Sequence, residues 1–526
     1  MRHPTAILSD TIGVPESTLR LIITILLAYP VAAGFRALYS NKHQPKDDQT
    51  KEDFTRLTAS RNRYVLGSGL ALAFFFGRWG IAHCLVTLGV SYGLCLAFQQ
   101  QRTVAVTSVW LFNAAYLLTG YYTKGVDDYD ISWTMPQCII CLRLMGFSMD
   151  FKDGGESVTR TEKKTTTTTT VTVTTVSMEA EDNNKAKSKV ASSSSITATS
   201  VKKVAPAARP LSFGANTALS TLPPLSQVAA YCFYPSAFLI GPQFSFSLYH
   251  EWLLFHDTQS PVDPVKSKQQ VRYVGKCFGW AVFYLAMQQL VGSRFPTSYL
   301  LTLEYAALDP LSRLAVFWLS GKFVFTKYLG VWLLTEGATA LFGIGYEGLT
   351  PEGHHSFAGL ANVNPIKYET ATSLEHIISS FNINTNFWSK YYVFKRLRWM
   401  GSKTGSQTGT LAFLAIWHGF HYGYFMTFLL EFLDVLAEGI LRKWVALLSF
   451  PASGAWIKNG LAWFLCSSTL YYAGVGFDLL SLSASWTAYS QVYFYGHVGL
   501  VALFGSSFLL PSRSKVVVIV NKDKKE

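Results

Sequence analysis

His418 stands in the segment AIWHGFHYGYF, residues 415–425, within an apolar run over 409–434. Imidazole ordinarily titrates near neutrality, so it can take a proton from a hydroxyl as that hydroxyl attacks. An ionisable side chain among apolar residues is costly and marks a functional site by default. A continuous helix here would put His421 at i+3 and Tyr422 at i+4, on one face with His418. Gly419 and Gly423 would leave room for another helix or a substrate. The functional expectation for His418 is a general base in a cavity; the bland alternative is a hydrogen bond between helices. His421 is expected to support it or to sit at headgroup level.

A second constellation lies upstream in SSFNINTNFWSKYYVFKRLRWMG, residues 379–401. Asn382, Asn384 and Asn386 alternate with other residues, and asparagine favours caps and turns, so a helix-entry loop accounts for them. Lys395, Arg396 and Arg398 either flank a span on its cytosolic side or grip phosphates. No metal site is expected. Cys138 and Cys141 form a CxxC without a second pair or nearby histidine, and most of the seven cysteines lie in apolar runs, where a thiol packs as a small hydrophobe.

The elements that must position these residues are apolar. Charged residues make up 15% of the 526, against about a quarter in soluble domains. The net charge of +13 is spread over inter-segment stretches, as in the basic loops of membrane proteins, whereas a nucleic-acid binder concentrates it. Nucleic acid is therefore not an expected partner; the lipid bilayer is. Apolar runs fall at 19–38, 64–77, 80–99, 103–122, 224–248, 272–292, 297–335, 336–346, 409–434, 440–452, 455–478 and 487–511. Some are shorter than the ~20 residues a span needs, as is 137–149, which reads as a re-entrant or interfacial helix. Short pieces must be covered by neighbours or line a cavity. The expected fold is all-α, a polytopic membrane helical bundle with an interior.

Four units are expected: N-terminal transmembrane helices over 1–149, a low-complexity and disordered loop over 150–214, a catalytic transmembrane core over 215–511, and a basic cytosolic tail over 512–526. The loop is rich in Thr, Ser and Lys and cannot bury enough apolar area to offset chain entropy. In the tail, Lys522 and Lys524 fit a Lys-x-Lys-x-x retrieval signal of the endoplasmic reticulum.

Four blocks, SWTMPQCIICLRLMGFSMDFKDG (132–154), YCFYPSAFLIGPQFS (231–245), FNINTNFW and WHGFHYGYF, occur in the order that resembles the membrane-bound O-acyltransferases. Within that family the chain is similar to the lysophospholipid acyltransferase branch, and above all to the lysophosphatidylcholine acyltransferases of the Lands cycle. The resemblance covers most of the chain outside 150–214. Where sterol and diacylglycerol acyltransferases resemble one another in FYxDWWN, this chain reads FNINTNFW, which argues against those substrates. The resemblance implies about eleven helices around an internal chamber in the endoplasmic reticulum membrane. It places the catalytic pair on His418 and Asn382.

The implied reaction moves an acyl chain from acyl-CoA, a co-substrate, to the sn-2 hydroxyl of a lysophospholipid, with no cofactor. His418 would be the base, and Asn382 would orient the hydroxyl or stabilise the oxyanion. Tyr231, Pro235, Ser236, Gly241, Pro242 and Gln243 would line the chamber, or merely pack in a kinked helix. Trp417, His421 and Tyr422 would adjoin the substrate, and Lys395, Arg396 and Arg398 would take the CoA phosphates. The rivals are an O-acyltransferase with another lipid or a protein acceptor, and a membrane transporter. No internal repeat of the transporter kind is visible.

Overall fold

The computed structural model describes residues 5–39, 51–124, 131–168, 216–255, 264–447 and 454–510. Its apolar runs are mostly helical, the stretch 233–245 being a buried turn, and the sole sheet among these residues is a two-residue hairpin pairing Gly348 with Ser356 and Leu349 with His355. Four helical stretches are long and apolar enough to cross a membrane: Glu16–Tyr39, Phe54–Ala97, Arg102–Lys124 and Pro310–Phe342. A fifth arises if Leu482–Gln491 and Tyr495–Leu509, bent by 78°, form one broken span. The chain is thus a multi-pass membrane protein. Helix Tyr422–Leu447 falls short of the same test because Glu431, Asp434, Glu438, Arg442 and Lys443 interrupt it.

Pro310–Phe342 is the central helix, packed by Pro264–Leu290, Ala455–Leu479 and Glu16–Tyr39. Local chemistry sets its ends. Asp309 caps it, its Oδ1 accepting from the Leu311 and Ser312 N–H groups at 3.0 and 3.1 Å, and Pro310 has no N–H to leave unpaired. Gly343, at φ 85°, closes the other end in the left-handed conformation that glycine tolerates. The apolar run at 297–335 is therefore short turns followed by one helix, which continues into the 336–346 patch as far as Phe342.

The expected short piece at 137–149 belongs to a 35-residue helix, Thr134–Thr168. Partners beyond position 149 extend it. The Tyr392 hydroxyl donates to both Asp150 carboxylate oxygens at 2.8 Å. Arg102 donates to the carbonyls of Phe151, Leu219 and Ser220. A Cβ on Gly154 would lie 1.9 Å from the Leu219 carbonyl oxygen, so only glycine lets the chain cross there. The boundary expected at 150 falls within this helix, and the rest of the 150–214 loop from 169 onward, like the tail from 511, lies outside the described residues.

The largest core is aromatic. Trp252 stacks on Phe35 at 5.1 Å, and Tyr234 packs on Trp252 and Phe342 at 5.5 and 5.2 Å. Beneath it Arg143, fully buried, donates to the carbonyls of Tyr231 (2.6 Å), Cys232 (3.1 Å), Ala237 (3.0 Å) and Pro242 (3.3 Å). Its guanidinium also lies 4.7 Å from the centre of the Phe244 ring. Arg143→Leu would leave four buried carbonyls without that donor, a loss of about 3 kcal/mol or more. The expected result is a lower unfolding midpoint for the detergent-solubilised protein, read by tryptophan fluorescence on heating.

Candidate active site

The helix Lys403–His418 ends at the histidine itself. Gly419 follows at φ 128° and ψ −174°, a conformation open to glycine and strained for other residues. A new helix starts at Tyr422. The single face expected for His418, His421 and Tyr422 is therefore not formed, because the glycine breaks the helix between them. The new helix instead brings Tyr424 and Phe428 to within 5.4 and 5.5 Å of the His418 ring, centre to centre. Trp417 at 4.6 Å and Phe477 at 5.3 Å complete the surround. His421 packs edge-on to Tyr424 at 5.5 Å, and Tyr422 is exposed.

The close approach expected at Gly423 is present. Its N–H donates to the Leu480 carbonyl at 2.7 Å, and a Cβ there would lie 2.0 Å from the Gly476 carbonyl oxygen. This backbone-to-backbone contact sets Phe477 against the histidine. The helix end is fixed from the other side as well. Trp417 Nε1 donates to the Cys138 carbonyl at 3.1 Å, and the Tyr121 hydroxyl donates to the Trp417 carbonyl at 3.0 Å. So Trp417 is an anchor, and its neighbour His418 is held without using its own polar atoms. Among the described residues neither imidazole nitrogen of His418 has a hydrogen-bond partner.

The three asparagines separate by their bonding. Asn384 donates its amide to the carbonyls of Leu360 and Ala361 and to Asn362 Oδ1 at 3.2, 3.0 and 3.3 Å. Asn386 donates to the carbonyls of Ile378 and Phe381 at 3.0 and 2.9 Å. Both are turn-holding residues, as the helix-entry expectation had it. Asn382 precedes the helix Ile383–Ser389 at φ 48° and ψ 45° and makes no side-chain cap. Its carboxamide has no partner among the described residues.

A chain of aromatic contacts joins the two uncommitted side chains. From His418 it passes to Phe477, then Tyr328 at 6.5 Å, Trp332 at 5.8 Å and Phe381 at 4.9 Å, the residue before Asn382. Tyr328 and Trp332 stand on the central helix, so one apolar wall carries both ends.

The basic cluster divides too. Arg396 forms a paired contact with Asp153, one arm being Nη1 to Oδ1 at 2.9 Å, and that hydrogen bond raises the guanidinium pKa further. Lys395 lies 3.8 Å above the Tyr391 ring and Arg398 6.0 Å from that of Phe394. Just before them, residues 390–394 widen into a π-helical turn, the Lys395 N–H reaching the Lys390 carbonyl at 3.0 Å, a distortion frequent at functional sites.

The block 231–245 is not a kinked helix. The helix Leu225–Cys232 stops, and a buried turn leads to Phe246–Phe255. The Tyr231 hydroxyl donates to the Phe244 carbonyl at 2.7 Å, Ser236 pairs with Thr339 at 2.9 Å, and Gln243 Nε2 donates to the Ile139 carbonyl at 3.2 Å. Pro235, Gly241 and Pro242 are buried with them, around Arg143. Tyr231, Ser236 and Gln243 thus spend these polar atoms on core packing, while Gln243 Oε1 has no hydrogen-bond partner among the described residues.

Sequence reasoning passed over Arg143, Glu336 and Asn362. The signal for the first two was the one that singled out His418: an ionisable side chain in an apolar run. Asn362 carries no such mark.

An imidazole with free nitrogens among four aromatic rings, inside a membrane bundle, suits proton removal from a hydroxyl where water is scarce. That is the setting of an intramembrane group-transfer enzyme. The chain belongs to the membrane-bound O-acyltransferase family, whose profile matches residues 117–473. It is 31% identical over 530 residues to lysophospholipid acyltransferase 5 of Drosophila melanogaster, covering 98% of this chain and 93% of that protein. To the Homo sapiens protein of the same name it is 30% identical over 520 residues, covering 97% and 92%. A lysophospholipid acyltransferase of Saccharomyces cerevisiae is 27% identical over 298 residues, 52% of this chain and 48% of that one.

Proposed function

We propose that this enzyme moves an acyl chain from acyl-CoA to the sn-2 hydroxyl of a lysophospholipid, lysophosphatidylcholine foremost, in phospholipid remodelling at the endoplasmic reticulum membrane. The observation that carries the reading is the pair of uncommitted side chains, His418 and Asn382, at the ends of one aromatic wall. Neutral His418 takes the hydroxyl proton as the oxygen attacks the thioester carbonyl. The tetrahedral intermediate collapses, the C–S bond breaks, and the imidazolium returns the proton to the CoA thiolate. Asn382 orients the hydroxyl or donates to the oxyanion. The aromatic surround limits hydrolysis of the thioester. Lys395 and Arg398 meet the CoA phosphates from the cytosolic side, and Arg396, paired with Asp153, holds their turn in place. About eleven helices enclose the site in this reading, the shorter ones covered by their neighbours.

The test is a panel of lysophospholipids against a panel of acyl-CoAs with the purified enzyme, diacyl products being quantified by mass spectrometry. Lysophosphatidylcholine is expected to be the best acceptor. Transfer to a non-lysophospholipid acceptor alone would replace this reading with that of another lipid or protein O-acyltransferase.

A further inference from the structure

Glu336 lies six residues before the end of the membrane-crossing helix Pro310–Phe342 and is 4% exposed. A carboxylate there is expensive and must be bonded on several sides. Its Oε1 accepts from the Tyr273 hydroxyl at 2.6 Å and from the Cys277 thiol at 3.4 Å. Its Oε2 accepts from two successive backbone N–H groups, Asn362 at 2.8 Å and Val363 at 3.3 Å. Half of its bonding therefore goes to one loop, and that loop holds the turn of Asn382.

The connection runs through Asn362, itself buried. Its carbonyl accepts the Ile383 N–H at 3.1 Å, and its Oδ1 accepts the Asn384 N–H at 3.1 Å and the Asn384 amide at 3.3 Å. These are the two residues that follow Asn382. On the preceding side, Val363 bridges Phe381 in antiparallel fashion, and the Asn364 N–H donates to the Ser380 carbonyl at 2.9 Å. Asn382 makes no side-chain bond of its own and sits at φ 48°, a left-handed conformation that asparagine tolerates better than most residues with a Cβ. Both flanks are thus set by residues 362–364, and those are set by Glu336.

We infer that Glu336 is a positioning residue for acyl transfer: through Asn362 and Val363 it fixes where the Asn382 carboxamide points. It touches no substrate. This rests on Asn382 taking part in the reaction, as proposed above. A misplacement of about 1 Å at a reacting group can cost on the order of a hundredfold in rate, so a carboxylate two bonded layers away acts on kcat. Glu336→Gln keeps a carbonyl oxygen for the two N–H groups, whereas Glu336→Ala and Asn362→Ala remove the relay.

The experiment measures kcat and both KM values for Glu336→Gln, Glu336→Ala and Asn362→Ala, each in the wild-type and the Asn382→Ala background, on monodisperse detergent-solubilised protein. The two Ala variants are expected to lower kcat by about ten- to a hundredfold with KM unchanged, and Glu336→Gln to recover most of it. In the Asn382→Ala background all three are expected to change kcat no further, because residues acting as one unit are not additive. If Glu336→Ala fails to fold, Glu336→Gln and Asn362→Ala decide. An equal fold-loss in both backgrounds, or an unchanged kcat for Asn362→Ala in the wild-type background, overturns the inference. An Asn382→Ala enzyme with full activity would instead overturn the catalytic reading on which it rests.

Discussion

His418→Ala is expected to reduce kcat for acyl transfer by about three orders of magnitude, within the 10²–10⁴ that a positioned base contributes. An alcohol is a weak nucleophile until its proton leaves, and His418 presents an imidazole against both Phe428 and Phe477. The side chain makes no hydrogen bond whose loss would unfold the site, and the helix end is anchored separately by Trp417 and Tyr121. The variant should therefore stay folded and still bind acyl-CoA. His418→Gln, close to the imidazole in size but not a base, should be as inactive. Folded protein with lost kcat and retained acyl-CoA affinity is the predicted pattern; tight coupling of the two losses would point to collapse of the aromatic surround.

Asn382→Gly is the second large effect, and it should differ in kind from Asn384→Ala. Glycine adopts φ 48° without strain, so the turn is kept and only the carboxamide is lost. The expected result is a normal unfolding midpoint with kcat reduced by about 10²–10³, the range for one oxyanion donor. Asn384→Ala removes three side-chain hydrogen bonds and should lower stability by about 1–3 kcal/mol. Its kcat should fall less at temperatures where it remains folded. If the two variants exchanged these behaviours, the assignment within FNINTN would be reversed.

His418 was legible because an ionisable group among apolar residues is conspicuous whatever the backbone does. The faces around it were not. Periodicity assumes an unbroken helix, and Gly419, at φ 128°, breaks it, while the 455–479 helix comes against the site backbone to backbone at Gly423. By residue type alone the three asparagines looked alike, because caps and turns favour all of them; the family resemblance pointed to Asn382, and in the structure Asn384 and Asn386 bond to residues at 360–362 and 378–381 while Asn382 does not. The 231–245 block was expected either to line the chamber or to pack, and its packing partner is not local: Arg143, some ninety residues earlier, takes four of the neighbouring carbonyls. The helix past position 149 was likewise concealed by composition, since Asp150 and Asp153 are held by Tyr392 and Arg396 from far along the chain.

The most direct test is product formation by the purified enzyme given one acyl-CoA and lysophosphatidylcholine, with diacyl phospholipid and released CoA counted together. Wild-type protein should yield the two in equal amounts, and His418→Ala protein of matched folding should yield neither above background. Phospholipid formation by the variant at the wild-type rate, or its absence with the wild type while CoA is still released, would contradict the proposed transfer at His418.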